Sequence, residues 1–290
     1  MRCTLFLTFL SGCLSTTFCH AGIYSGPTDT TNQIDGAIAS DDPRFVEWAD
    51  VIDASRTLFG PRGSTSIDPS GGFNSLGDLN AAEIAEGVSP GFLTVTFPTG
   101  ISNGPGADFA IFENGFTFGI NDDGVPGLFA EYAYVDVSTN GSDFIRFPSI
   151  NLNSGTLPGS LGSAFAGFDV TNVYNLAGKH ASGFGTPFDL DDLASDPLVS
   201  EGRLNLNDIR YVRLYDIPGN GFFLDSQGNP IRDNWLTTGA GGFDFRLGEG
   251  VGVGVINVAA VPEPNSFAMI ATLGLVALTT RRRRNPRTGG

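Results

Sequence analysis

The chemistry open to this chain rests on carboxylates. Aspartate and glutamate number 31 against 16 lysines and arginines, with 2 histidines and 3 cysteines. The cysteines, Cys3, Cys13 and Cys19, crowd the amino-terminal end, so beyond residue 21 there is no thiol for a nucleophile, a thiolate metal site or a disulfide. A Ser-His-Asp arrangement would have to use His180. That residue sits in the stretch Ala177-Gly178-Lys179-His180-Ala181-Ser182-Gly183 and reads as a surface histidine in a glycine-rich loop. One histidine without a thiol cannot make the usual zinc ligand set.

Two carboxylate chemistries remain. Hard cations take carboxylate and carbonyl oxygens presented on turns. Asn121-Asp122-Asp123-Gly124 and Asp225-Ser226-Gln227-Gly228-Asn229 are acidic turns of that kind, though neither is a full EF-hand loop. Glu113 with Asn114, and Asp244 after paired glycines, add oxygens from other connections. Calcium is the cofactor to expect, with Glu113, Asn114, Asp122, Asp123, Asp225 and Asp244 as candidate ligands and a solvated loop as the alternative for each. Side chains alternate along a strand, so Asp108 and Glu113 should face opposite sides and not share one ion. The second chemistry is glycoside hydrolysis, which needs two carboxyls across a cleft. Glu113 and Glu131, both at the ends of expected strands, are the pair to examine.

The elements that must position these groups are mostly short strands. Forty glycines and 17 prolines among 24 phenylalanines suit strands joined by tight turns. Alternation marks strands over Leu93–Phe97, Asp108–Glu113, Ala130–Ser138, Phe144–Phe147, Val173–Ala177, Ile209–Ile217 and Val251–Val258. Asn140-Gly141 is a hairpin turn signal, and Gly228-Asn229-Pro230 marks a second turn. Asn80 should cap a short helix through Ala81, Ile84 and Ala85 that stops at Gly87. Asp41-Asp42-Pro43 followed by Phe45, Trp48, Ala49 and Ile52 predicts an amphipathic helix of three to four turns. Trp48 would be a core residue there, or a platform for stacking on sugar. No repeat of 20 to 50 residues is present. The expected fold is all-β: one antiparallel, jelly-roll-like β-sandwich with one or two short helices, over residues 22–260.

Both ends carry address signals. Arg2, the apolar core Leu5–Leu10 and Cys19-His20-Ala21 form a secretory signal peptide, residues 1–21, with cleavage after Ala21. Leu10-Ser11-Gly12-Cys13 offers a competing parse as a lipobox, with Cys13 as a lipid-bearing first residue. At the other end, Val261-Pro262-Glu263-Pro264 precedes an apolar run from Phe267 to Thr280 and then Arg281-Arg282-Arg283-Arg284. The prolines hold the tripeptide extended, where a protease can grip it. The apolar run can enter a bilayer as a single helix, with the arginines holding its far end on the cytoplasmic side. Fourteen residues at helical rise reach about 21 Å, a shortfall that snorkelling arginines and local thinning can absorb.

Residues 261–290 resemble the PEP-CTERM sorting signal of Gram-negative bacteria, carried by Pro262, Glu263, Pro264, the apolar run and Arg281–Arg284. The resemblance implies recognition by an exosortase, a membrane-embedded cysteine protease, after export through the Sec translocon and cutting by signal peptidase. It also implies transient inner-membrane anchoring through residues 267–280 and bacteria that make extracellular polysaccharide. The body resembles a group of exported bacterial proteins that often bear this tail. That likeness lies in Ala107–Phe116 (ADFAIFENGF), Glu131–Ser138 (EYAYVDVS), Asn175–Lys179, Gly185–Leu190, Gly242-Phe243-Asp244 and Val255-Ile256-Asn257. The group is described as cell-surface protein and brings no assigned activity.

Between Gly22 and Ala260 ten basic residues, Lys179 the single lysine among them, face thirty acidic ones, a net of about −20. Phosphate contacts need a basic face, so nucleic acid is not an expected partner. The expectation is a non-enzymatic protein of the cell envelope, cell surface or extracellular matrix, structural or polysaccharide-binding, with Tyr132, Tyr134 or Trp235 as sugar platforms. The alternative is a secreted carbohydrate-active hydrolase using Glu113 and Glu131.

Overall fold

The computed structural model describes residues 22–120, 124–153, 167–234 and 242–259. Nine strands build two antiparallel sheets: β1 (Ile38–Ala39), β2 (Glu47–Trp48), β3 (Phe92–Ile101), β4 (Phe109–Ile111), β5 (Ala133–Ser138), β6 (Ile145–Arg146), β7 (Phe184–Phe188), β8 (Ile209–Asp216) and β9 (Val253–Val255). One sheet runs β1-β7-β4-β9-β2 and the other β3-β8-β5-β6. Their inner faces share one apolar core, with Val95, Phe97, Val135, Val137, Val212 and Leu214 meeting Phe109, Ile111, Phe188, Val253 and Val255. The fold is an antiparallel all-β sandwich. Among the described residues its helices are short: α1 (Ala81–Ala85), α2 (Pro197–Ser200) and three single-turn 3-10 segments.

Strand β8 is the centre of its sheet. It pairs Val212 with Val95 and Val137, and Leu214 with Leu93 and Val135, so its alternation is matched on both sides. The opposite face of that sheet packs partly against Ile217, Phe223 and Ile231 and partly on its own side chains. Arg146 forms an ion pair with Asp136 at 2.7 Å and lies 4.2 Å over the Tyr134 ring, while Arg213 lies 3.6 Å over Phe144. Asn140 closes the β5–β6 connection by accepting from the backbone of Ser142 and Asp143. Helix α1 has a full capping box, Asn80 accepting from Ala82 and Glu83 N–H while Glu83 returns to Asn80 N–H.

The expected helix over residues 43–52 does not form. Asp42 and Phe45 close a turn, and the chain then extends: Val46 N–H reaches Val255 O and Ala49 N–H reaches Val253 O, both at 2.9 Å. Glu47 and Trp48 become an edge strand on β9. The 3.6-residue spacing of apolar groups was real, but the sheet edge offered a better use for it. Phe45, Trp48 and Phe112 pack as an aromatic trio, with ring centroids 4.7 to 5.7 Å apart. They lie over Ala110 and Ile38 on the outer face of the sheet. Half-buried Trp48 is thus a packing residue.

Among the described residues no helix is long and apolar enough to cross a membrane. The leader 1–21, Pro262-Glu263-Pro264, the apolar run and Arg281–Arg284 lie outside the described residues.

Gly254 lets the aromatic trio sit down: a Cβ there would stand 2.7 Å from Phe45 Cδ1 and 2.9 Å from Trp48 Cη2. Gly254→Ala should therefore lower stability by about 1–3 kcal/mol through overpacking. Urea denaturation measures this, and an unchanged midpoint would mean the trio does not pack there.

Candidate functional site

Strand parity explains where the key carboxylates go. Phe109 and Ile111 face inward on β4, and Glu113 lies two residues past Ile111. Ala133, Val135 and Val137 face inward on β5, and Glu131 lies two residues before Ala133. Val212 and Leu214 face inward on β8, and Asp216 lies two residues past Leu214. Continued alternation aims all three carboxyls into the space between the sheets, at the end where β8 finishes and β5 begins. They are buried, at 6, 4 and 1% exposure.

Connecting loops bring more oxygens to the same end. Asp216 Oδ1 accepts from Phe243 N–H at 2.9 Å, which places Asp244 beside it. Asp244 in turn accepts from Asn114 Nδ2 at 3.0 Å and from the Ser75 hydroxyl. Asp233 Oδ2 accepts from Tyr132 N–H at 2.6 Å, next to Glu131, and Asn234 N–H bonds Ala130 O at 3.0 Å. Glycines let the chain close in. A Cβ on Gly242 would meet Asp216 Oδ1 at 2.5 Å, one on Gly115 would meet Glu113 Oε2 at 3.0 Å, and one on Gly178 would meet Glu131 O at 2.1 Å. Beside Glu113, Asn114 and Asp244 lies a cavity of about 20 Å³, room for a single water or ion.

No ion pair among the described residues involves Glu113, Glu131, Asp216, Asp233 or Asp244. Among the described residues, Glu113 Oε1, Glu131 Oε1, Asp216 Oδ2 and both amide atoms of Asn234 are buried without a hydrogen-bond partner. Burial, reinforced by Asp244, pushes the Glu113 carboxyl up to about 8. Burial also holds Glu131 well above the usual carboxylate range, with Glu113, Asp244, Asp233 and Asp216 all acting in the same sense. Asp216 and Asp233 are raised for the same first reason, with neighbouring acids adding to it.

The expected sites divide accordingly. Glu113, Asn114 and Asp244 meet in this cluster, and Glu131 joins them. Asp225 does another job: its oxygens accept from Asn151, Gln227 and Asn229 N–H and from Asn229 Nδ2, closing the turn between Asn220–Leu224 and Pro230–Arg232. Asp122, Asp123 and Trp235 lie outside the described residues. Among the described residues, no three His, Cys, Asp or Glu side chains already surround one point as the ligands of a metal do. Asp108 is at the opposite end, accepting from Gly104 and Leu190 N–H and from Asn257 Nδ2, so it and Glu113 are separate, as alternation requires. Asp216, Asp233 and Asn234 went unnoticed in the sequence. For Asp216 the signal was available, because it continues the inward parity of the most regular strand.

His180 is buried rather than at the surface. Ser25 Oγ donates to Asp35 O at 2.8 Å and therefore accepts from His180 Nε2 at 2.8 Å; His180 Nδ1 then accepts from Thr186 Oγ1 at 3.0 Å. An imidazole that donates to the serine cannot be its base. Burial holds it neutral, well below its ordinary range. A Gly-x-Ser-x-Gly spacing does occur at Gly100-Ile101-Ser102-Asn103-Gly104, but Ser102 Oγ bonds Asn207 and its own neighbour's carbonyl, away from His180. Beside His180, buried Lys179 is paired with Asp35 and donates to Val173 O at 2.6 Å. These contacts strap residues 22–40 to the sandwich. Tyr132 and Tyr134 are also buried, Tyr134 donating to Leu224 O at 2.6 Å, so neither is an exposed sugar platform.

No family model, no curated protein and no solved structure matches this chain.

Two outcomes follow from these charges. Lys179→Met leaves Asp35 buried and unpaired and should cost about 3–5 kcal/mol in urea denaturation; a smaller loss than about 1 kcal/mol would mean the strap is not held this way. Between its ordinary 4.5 and about 8 Glu113 keeps a proton only in the folded form, so stability falls as pH rises through that window. From about pH 6.5 to 8, below the range where buried Lys179 titrates alone and above that of His180 in the unfolded chain, the melting temperature in chelator should fall. Glu113→Gln should flatten that slope; a parallel slope in the variant would assign it elsewhere.

Proposed function

We propose that the chain is an exported, non-enzymatic protein of the cell surface or extracellular matrix, sorted by an exosortase-like protease through its carboxyl-terminal tail. The observation that carries this reading is that the sandwich closes between the two address segments. Gly22 N–H donates to Thr171 Oγ1 at 2.7 Å at the front. At the back Val258 bridges Ile101 and Ala259 N–H reaches Gly100 O at 2.9 Å. These contacts are made within residues 22–259, which is what a sorting pathway that removes both ends requires. A thiol-free body with a large acidic excess also suits life outside the cell.

A polysaccharide is the ligand class that fits the described surface. A groove of about 320 Å³ runs past Asn32, Gln33, Arg44, Tyr174 and Asp189, offering amide, guanidinium, phenol and carboxylate groups to a hydroxyl-rich chain. Hydrolysis by Glu113 and Glu131 is favoured by their shared location and by a carboxyl held near 8 at Glu113. Against it, both are buried and the adjoining cavity of about 20 Å³ has no room for a sugar ring.

Mass spectrometry of the protein recovered from cells and medium tests the address. The expected mature form begins at Gly22 and lacks the tail from near Pro262-Glu263-Pro264; a lipid on Cys13 would shift the start to that residue. A cytosolic chain with both ends intact would refute export. Incubation with acidic and neutral polysaccharides should show depletion without new reducing ends. Reducing ends that vanish in Glu113→Gln would make the protein a hydrolase.

A further inference from the structure

The acidic side chains gathered at one end of the sandwich lack the counter-charge that a cation would supply, although no three of them yet surround one point. Glu113, Glu131 and Asp216 share inward parity at one end of the sandwich, and each leaves one carboxylate oxygen buried without a partner. A run of acids alone would not identify a ligand. The independent sign is Asn234, a neutral side chain only 4% exposed whose carbonyl and amino groups both lack partners among the described residues. It follows Asp233, and its backbone is bonded to Ala130, the residue before Glu131. Buried carboxylate oxygens and an unpartnered amide on the adjoining chain, with no thiolate among them, are the oxygen donors that a hard cation takes.

We propose that the inward-facing carboxylates of Glu113, Glu131 and Asp216, with Asp233, Asp244 and the Asn234 amide, form a calcium-binding site. A set of like charges stays spread until a cation draws it together. Calcium accepts six to eight oxygens in flexible geometry, whereas magnesium requires a near-ideal octahedron and sheds water reluctantly. Closing demands side-chain rotation at loop ends, and the glycines at 115 and 242 leave the backbone close to the carboxylates. Arg246, which also lines the cavity near Glu113 and Asp244, is engaged elsewhere: its Nε donates to Gly71 O at 2.9 Å and its guanidinium lies 5.1 Å over the Phe73 ring. The site does not depend on the export reading, since it rests on strand ends and loops of the described residues.

The test uses the protein recovered from its own cells, stripped of divalent ions, then titrated with calcium while the melting temperature is followed. Terbium luminescence excited through Tyr132, the neighbour of Glu131, reports binding directly. Calcium should raise the melting temperature where the same concentration of magnesium does little. Glu131 Oε1 accepts no hydrogen bond among the described residues, so Glu131→Gln should melt no lower than the stripped wild type near pH 8. Its calcium affinity, and that of Asp216→Asn, should fall by at least about 100-fold. Asp225→Asn, which loosens a separate turn, should lower stability yet keep the full calcium response. If Glu131→Gln does not fold, half-buried Asp244→Asn carries the same test. No calcium shift up to about 10 mM, the weak end of extracellular calcium modules being about 1 mM, would overturn the site. So would an undiminished shift in the folded variants.

Discussion

Burying like charges is the constraint that the rest of this structure accommodates. A carboxylate moved from water into a protein interior must be paired, hydrogen-bonded or protonated, and one end of this sandwich gathers several with few donors. Glu131 is the extreme case, surrounded by Glu113, Asp216, Asp233 and Asp244 in its electrostatic environment. The loops at that end are shaped around it. Gly115 and Gly242 remove side chains where backbone meets a carboxylate, Gly178 where it meets the Glu131 backbone carbonyl, and Asn114, Ser75 and Phe243 supply the donors that Asp244 and Asp216 do have. The opposite end shows what a buried acid looks like when it is a structural acceptor: Asp108 has donors on both oxygens. The contrast between the two ends of β4 separates a carboxylate that holds loops together from carboxylates that still want a partner.

Much of the sandwich was legible in the sequence because alternation is a local signal. Ile209–Ile217 alternates regularly, and it lies at the centre of its sheet because both its neighbours match that pattern. The Asn80 cap and the Asn140-Gly141 turn were legible for the same reason, since each is satisfied within a few residues. What failed was non-local. Phe45, Trp48 and Ile52 have helical spacing, yet backbone groups of Val46 and Ala49 are used by a strand some two hundred residues later. Tertiary pairing overrides a weak local preference when it satisfies more of the backbone.

The candidate site was half legible. Glu113 and Glu131 stood out as acids at strand ends, and Asn114 and Asp244 as oxygens on turns. Asp216 was readable by parity. Asp233 and Asn234 were not, because they arrive on the return of the Asn220–Leu224 and Pro230–Arg232 hairpin, and nothing local says where a hairpin folds back. Asp225 illustrates the opposite error. An acidic turn looks like a cation loop, but a carboxylate that caps its own turn has already used its oxygens.

The strap of residues 22–40 carries a consequence of order in time. Ser25 and Asp35 are made early, yet their partners His180 and Lys179 come 155 and 144 residues later in the chain. A polypeptide emerging amino-end first, from a ribosome or through a pore, cannot seat its opening segment until most of the molecule has followed. Until then the segment trails as an open thread whose ion pair has no counterpart. Contacts of such long sequence separation slow folding, so residues 22–40 stay pliable while most of the chain is made and become rigid only once residues 179 and 180 are in place.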